Sequence, residues 1–322
     1  MEIVKVELSE NSLQGTTKVT ELVELFLQSQ DVKDSSRKVY RRTLNLFLDW
    51  LSKKKYLLKD VSRIDVLLYK DSLLADGLSS LTVGSYITSV RRFYEWLEAN
   101  KLYPNVAKGI KSPKRKQQFR KQALTPTQGQ VLLKDVQERA LSAFLQDKGL
   151  RDYAIVNLLI RTGLRTIEVI RANIEDITFK GGKRVLLVHG KGRDEKDEFV
   201  VLTDKTFVPI QAYLATRPKV NAREPLFVAI GNKSKGNRLV TRSISRIAKE
   251  ALKAIGLNDR SFSAHSLRHT TAVNILRAGG SLEAAQNVLR HSSPATTQIY
   301  THTIKEELRL QNPAEELIDN FL

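Results

Sequence analysis

Residues 184–202 read RVLLVHGKGRDEKDEFVVL. Two short apolar runs, 184–190 and 198–202, flank the charged loop KGRDEKD, the pattern of a hairpin of two strands. On either side of this stretch the apolar residues recur at helical spacing. The chain is therefore expected to be mainly α, of α+β class, with one small antiparallel sheet embedded in a mostly helical second half.

Upstream, TELVELFLQSQ (20–30) places Leu22, Val23, Phe26 and Leu27 on one helical face. SSRKVYRRTLNLFLDWLSKK (35–54) does the same with Val39, Leu44, Phe47, Leu48 and Leu51, turning Arg41 and Arg42 another way. A third helix over 62–76 opens on Ser62 as a candidate N-cap and ends at Gly77, and a fourth covers 79–101. Proline and lysine then replace periodicity in LYPNVAKGIKSPKRK. This divides the chain into an all-helical domain over 1–112, a basic linker over 113–123 and a second domain over 124–322. Within the second domain, helices are expected at 127–146, 150–161, 204–216, 241–255, 265–278 and 281–290.

The 322 residues include 53 Lys plus Arg against 35 Asp plus Glu, a net charge of +18. Residues 1–113 carry +4, the eight residues KRKQQFRK (114–121) carry +5, and 122–322 carry +9. Excess positive charge in both halves suits a polyphosphate partner, because neutralising phosphates releases condensed counterions. Lys114, Arg115, Lys116, Arg120 and Lys121 are the candidate backbone contacts; a linker kept open by self-repulsion has the same composition. Cysteine is absent, which excludes disulfides and thiolate metal sites and fits a reducing compartment. No apolar run reaches the length of a membrane span, and MEIVKVELSENSLQGTT is too polar and acidic for a signal peptide. A cytoplasmic protein is expected.

Chemistry-bearing residues cluster in four places. In SAHSLRHTTAVNILRAGG, His265 and Arg268 project from neighbouring positions of one helical face, with Ser263 able to cap it. A helix start carrying a histidine and a forked cation is a phosphate site, although a single His-x-x-Arg is equally a solvated helix end. His265 and His269 also stand at metal-ligand spacing, but Ser266 occupies the position of the catalytic Glu in H-E-x-x-H, and no metal is expected. In TGLRTIEV, Glu168 lies three residues after Arg165; it either forms an ordinary surface ion pair or aims Arg165 at a ligand. Lys191 sits between Gly190 and Gly192 in the hairpin loop, without the spacing of a P-loop. Finally, LRHSSPATTQIYTH (289–302) places His291 nine residues before Tyr300. A tyrosine can be a nucleophile, but with an intrinsic pKa near 10 it needs a cationic setting or a base.

Taken in order, TGLRTIEV, HGKGRDEK, HSLRHT, LRHSS and TTQIYTH closely resemble the motifs of the tyrosine recombinases, the family of phage integrases, Xer-type recombinases and transposon integrases. The resemblance covers about residues 124 to 310, and the helical front half is similar to that family's core-binding domain. It implies an active site of Arg165, Lys191, His265, Arg268 and His291, with Tyr300 as nucleophile and His302 peripheral. It implies site-specific DNA strand exchange through a 3′-phosphotyrosyl intermediate, with double-stranded DNA as partner, a tetramer on paired sites and no cofactor. The C-terminal NPAEELIDNFL is similar to tails that dock onto a neighbouring subunit. A relaxing topoisomerase of the same chemistry and a non-cleaving DNA-binding regulator are the alternatives.

Two departures from the family pattern stand out. Arg290 occupies the position before the second histidine where glycine is usual. The hairpin is two residues longer than the usual Gly-Lys-Gly-x-Lys-x-Arg-x-Val-Pro-Leu, with Glu198 in place of Arg and Val201 in place of Pro. Lys196 is consequently a rival to Lys191 as the acid for the leaving group.

Overall fold

The computed structural model describes residues 16–114, 122–142, 146–189, 196–217, 219–231 and 235–291, together with 300, 304, 307, 309–310, 313 and 315–319. Lys191, His302, Arg115, Lys116, Arg120 and Lys121 lie outside the described residues. The chain divides into two compact units, Met1–Gln118 and Phe119–Leu322.

The first unit is built from α1 (Thr16–Ser29), α2 (Asp34–Lys53), α3 (Arg63–Ala75) and α4 (Ser80–Ala99). The helical stripes close on one core that includes Phe26, Leu44, Phe47, Tyr69, Ile87 and Phe93. Phe26 and Phe93 meet edge to face at 5.5 Å, a geometry the ring quadrupoles favour. Thr43 on α2 donates to Ser89 on α4 at 2.7 Å, so the polar pair buried between these helices is satisfied. The Ser62 hydroxyl caps α3 by accepting from the Asp65 N–H, while the Asp65 carboxylate accepts from the Ser62 N–H. Gly77, at φ +76, ends that helix, with its N–H bonded to Leu74 O and the Leu78 N–H to Leu73 O. Val39 departs from the expected stripe: it is exposed, and Thr43 fills the core position one turn later.

The second unit contains α5 (Pro126–Ser142), α6 (Gln146–Thr162), α7 (Thr166–Arg171), α8 (Asp204–Ala215), α9 (Thr241–Ala254), α10 (Ala264–Arg277) and α11 (Leu282–Leu289). A further short helix spans Glu315–Asp319. Helix α6 is the centre: residues 154–160 are all buried, and α5, α8, α9 and α10 pack around it. A stretch buried on every face is interior, and its one polar residue, Asn157, is satisfied by donating to Lys205 O at 2.9 Å.

Three antiparallel strands, β1 (Ile177–Lys180), β2 (Lys183–Val188) and β3 (Glu198–Val201), form the sheet in the order β1-β2-β3. Strands β2 and β3 are the expected hairpin arms, paired in the register Val185 with Val201 and Leu187 with Phe199. The sequence pattern did not mark β1. It has four residues, three of them exposed, so apolar alternation is nearly absent. The signal that was available is Gly181-Gly182, both at positive φ, joining β1 to β2 as a tight hairpin turn. Among the described residues, no helix is long and apolar enough to cross a membrane.

Candidate active site

The site grows from the turn between α6 and α7. Gly163 adopts φ +62, and a Cβ there would stand 2.5 Å from Leu289 Cδ2, so only glycine lets the α11 end pack this closely. Two residues later Arg165 opens α7. Glu168, three residues on and 1 % exposed, holds it twice: Oε2 accepts the Arg165 N–H and Oε1 accepts Nη1, both at 2.7 Å. The pair is therefore not a surface ion pair. Burial pushes the Glu168 carboxyl up, but Arg290, the Arg165 N–H and the Arg165 guanidinium together hold it below the ordinary carboxylate value.

Arg268, on the second turn of α10, is 2 % exposed and binds two backbone carbonyls that belong to different segments. Nη1 donates to Gly163 O, and Nη2 donates to Leu289 O at 2.5 Å. Burial, reinforced by the neighbouring Arg165, lowers its pKa to about 10, so it remains a cation at neutral pH. Arg165 Nη2 reaches the next carbonyl, Arg290 O, at 3.3 Å. The C-terminal end of α11, with its partial negative charge, thus gathers both arginines.

His291 follows directly. Its N–H donates to Gln286 O and its carbonyl accepts from Gln286 Nε2, which fixes the chain as it leaves the helix. Tyr300 returns to the same place, 4 % exposed, in a small core with Ala272, Val273 and Leu289. Its ring stacks on His291 with centroids 6.1 Å apart and planes 17° from parallel. His269 meets the Tyr300 ring edge to face at 4.5 Å. Burial lowers both imidazoles to about pKa 4, helped at His291 by Arg268 and Arg165 and at both by His265. Each is neutral near pH 7. Burial also raises the Tyr300 phenol, while Arg268 and Arg165 pull it back down. The resting tyrosine is a protonated phenol inside a field that favours its anion.

His265 is exposed on the first turn of α10, close enough electrostatically to depress both other histidines. The expected Ser263 cap is made differently: Ser266 Oγ accepts the Ser263 N–H and itself donates to Ser261 O. Arg165, His265, Arg268, His291 and Tyr300 are therefore brought into one neighbourhood. Beside it opens a cleft of about 850 Å³ lined by Arg165, Glu198, Arg290 and His291 among others.

Lys196, the rival lysine, donates to the buried carboxylate of Asp176 at 2.5 Å. Asp176 also accepts the Asn173 N–H, so this ion pair ties the hairpin to the turn before β1. Arg290 does not point at solvent as an added phosphate contact would. Its side chain is 5 % exposed, and the guanidinium turns inward to Glu168. Sequence reasoning missed the contact of His269 with Tyr300. The i, i+4 spacing says only that the two histidines share a helical face; in the fold they occupy different surroundings, one exposed and one buried against the phenol.

The geometry agrees with comparison to known proteins. Residues 130–307 match the profile of the phage integrase family, and residues 23–101 match the phage integrase N-terminal SAM-like domain. A tyrosine recombinase XerC of Pelobacter propionicus is 32 % identical over 272 residues, covering 84 % of this chain and 85 % of that protein. A tyrosine recombinase XerD of Proteus mirabilis is 26 % identical over 303 residues, covering 90 % of each. In fold, the chain is similar to the XerH site-specific recombinase bound to palindromic difH substrate, with a TM-score of 0.72 at 22 % identity, covering 96 % of this chain and 92 % of that one. On the family match over more than half its length, and the XerC relative aligned over most of it, this chain belongs to the phage integrase family and is a tyrosine recombinase, an enzyme of DNA cleavage and religation.

Proposed function

We propose that Tyr300 is the nucleophile of site-specific strand exchange, acting on a DNA phosphodiester bound by Arg165, Arg268, His265 and His291. The observation that carries this reading is the placement of a buried tyrosine against two neutral imidazoles, within the field of two fixed arginines of the same chain. Tyr300 Oη attacks phosphorus, and the bond to the 5′-oxygen breaks, leaving a 3′-phosphotyrosyl link. The phenolic proton passes to a neutral imidazole, with His269 and His291 both against the ring. Lys191 supplies the proton that the departing 5′-oxygen takes up. A 5′-hydroxyl from the partner duplex then attacks the link and restores Tyr300. Bonds are exchanged one for one, so the sequence needs no nucleotide hydrolysis.

The arginines stabilise the additional negative charge on the non-bridging oxygens, the kind of preorganised electrostatics that is commonly the largest catalytic effect. Double-stranded DNA is the partner, with contacts from the 114–121 stretch, and strand exchange takes place in a tetramer on two paired sites in the cytoplasm. The test is incubation with a nicked half-site followed by denaturing electrophoresis. The protein forms a covalent DNA adduct, and Tyr300→Phe abolishes it while DNA affinity stays within about twofold. An adduct with Tyr300→Phe would assign the nucleophile elsewhere; binding without any adduct from the unaltered protein would make it a regulator. Relaxation of supercoiled plasmid without joining of two sites would make it a topoisomerase.

A further inference from the structure

Arg290 ends α11 in the left-handed conformation, at φ 55 and ψ 51. Glycine adopts this conformation without strain, whereas a side chain makes it unfavourable. The other described non-glycine residues at positive φ, Lys55, Lys101 and Lys219, are exposed lysines. Only at Arg290, among the described residues, does this backbone carry a buried charged side chain.

That guanidinium closes a ring. Arg165 Nη2 donates to the Arg290 carbonyl, Arg290 Nη2 donates to Glu168 Oε2 at 2.7 Å, and Glu168 Oε1 accepts from Arg165. Arg290 Nη1 donates to Val288 O at 2.7 Å. Nε lies 3.5 Å from Glu198 Oε2, at ion-pair distance, on the first residue of β3. The ring therefore joins the start of α7, the end of α11 and the sheet strand that emerges from the hairpin. It leaves no guanidinium nitrogen of Arg290 directed at a DNA phosphate.

The charges are matched, although Arg290 Nε itself is buried without a hydrogen-bond partner and meets Glu198 as an ion pair only. Glu168 is shared by two arginines, and Glu198 supplies the second carboxylate. Without Arg290, the two carboxylates would face one another beside an incoming phosphate, and like charges at this range repel. An arginine at 198 beside Arg290 would instead crowd two cations against one carboxylate. With glycine at 290, however, an arginine at 198 would start from a position already in contact with the Arg290 guanidinium and could take its place on Glu168.

We propose that Arg290 and Glu198 are a matched positioning pair that sets Arg165 and His291 for the phosphate, each needed because the other is present. This rests on the strand-exchange reading above and adds to it two residues that touch no substrate. The experiment is a set of single-turnover cleavage assays on a nicked half-site, with DNA affinity measured in parallel by mobility shift. Arg290→Gly and Glu198→Arg each slow adduct formation at least tenfold while Kd stays within threefold. The double variant Arg290→Gly/Glu198→Arg returns to within threefold of the unaltered protein. Single variants that cleave normally, or a double variant in which the two defects multiply, overturn the proposal.

Should Arg290→Gly fail to fold, as read by circular dichroism, Arg290→Lys and Glu198→Gln carry the same test. Lysine keeps the charge but cannot reach both carboxylates through a fork. Glu198→Gln therefore slows cleavage when made alone and has a smaller effect when added to Arg290→Lys. Equal slowing in the two backgrounds overturns the pairing. Tyr300→Phe run alongside separates the two levels. If it still traps DNA, the nucleophile assignment fails; if it is inactive while positions 290 and 198 show no coupling, only the pair does.

Discussion

His269 and Tyr300 touch edge to face, with ring centroids 4.5 Å apart. One ring is a buried base and the other a buried acid, and burial drives their proton affinities in opposite directions, each towards its neutral form. The consequence is a pH-dependent stability. His269 sits at about pKa 4 in the folded protein against 6.5 ordinarily. Between those values the unfolded chain binds the extra proton, so stability is full above about pH 6.5 and declines as the pH falls towards 4. His291, also at about pKa 4 in the folded protein, acts in the same direction. In thermal melts across this range, His269→Phe keeps the ring and shows the shallower fall in Tm. Parallel curves would mean that His269 takes up its proton in the folded state.

Gly163 is the second point of tension, since an alanine there would combine a left-handed backbone with a Cβ 2.5 Å from Leu289. The left-handed cost is about 1–2 kcal/mol and overpacking adds about 1–3, so Gly163→Ala is expected to destabilise the protein by about 2–5 kcal/mol. Cleavage falls too, because Arg268 donates to the Gly163 carbonyl and moves with it. Urea unfolding and adduct formation measure the two effects; a stable variant that cleaves normally would show that the turn has room.

Two lysines of the hairpin separate chemically. A departing alkoxide needs a proton, whereas the sulfur of a 5′-bridging phosphorothiolate leaves readily as an anion. Lys191→Ala is expected to cleave ordinary DNA slowly and to be rescued on the phosphorothiolate. Lys196→Ala is expected to lose about 1–3 kcal/mol of stability, because it strips the partner from a buried carboxylate, with little change in cleavage on either substrate. Rescue of Lys196→Ala in place of Lys191→Ala would exchange their roles.

For the basic stretch, replacing Lys114, Arg115, Lys116, Arg120 and Lys121 with Gln is expected to weaken binding to every DNA sequence. It also flattens the dependence of log K on log salt, by roughly 0.9 for each phosphate that is no longer neutralised. An unchanged slope would make 114–121 a spacer only.

Most helices of both units and the β2–β3 hairpin were legible along the chain, as were Arg165, His265, Arg268, His291 and Tyr300 as candidates; the short helix α7 was not. The legible features rest on local periodicity, on punctuation such as Ser62 and Gly77, and on the order of five motifs. Strand β1 escaped because four mostly exposed residues carry almost no period. Whether Glu168 was a surface partner or a buried one depended on the tertiary fold, which brings Arg290, more than a hundred residues away at the end of α11, onto it. Packing likewise set His269 against the phenol while leaving His265 exposed, although both lie on α10. It also turned Arg290 inward to Glu168 and Glu198, two carboxylates brought beside it by other segments. Burial and long-range charge pairing are properties of the packed chain, and a residue's neighbours in sequence do not report them.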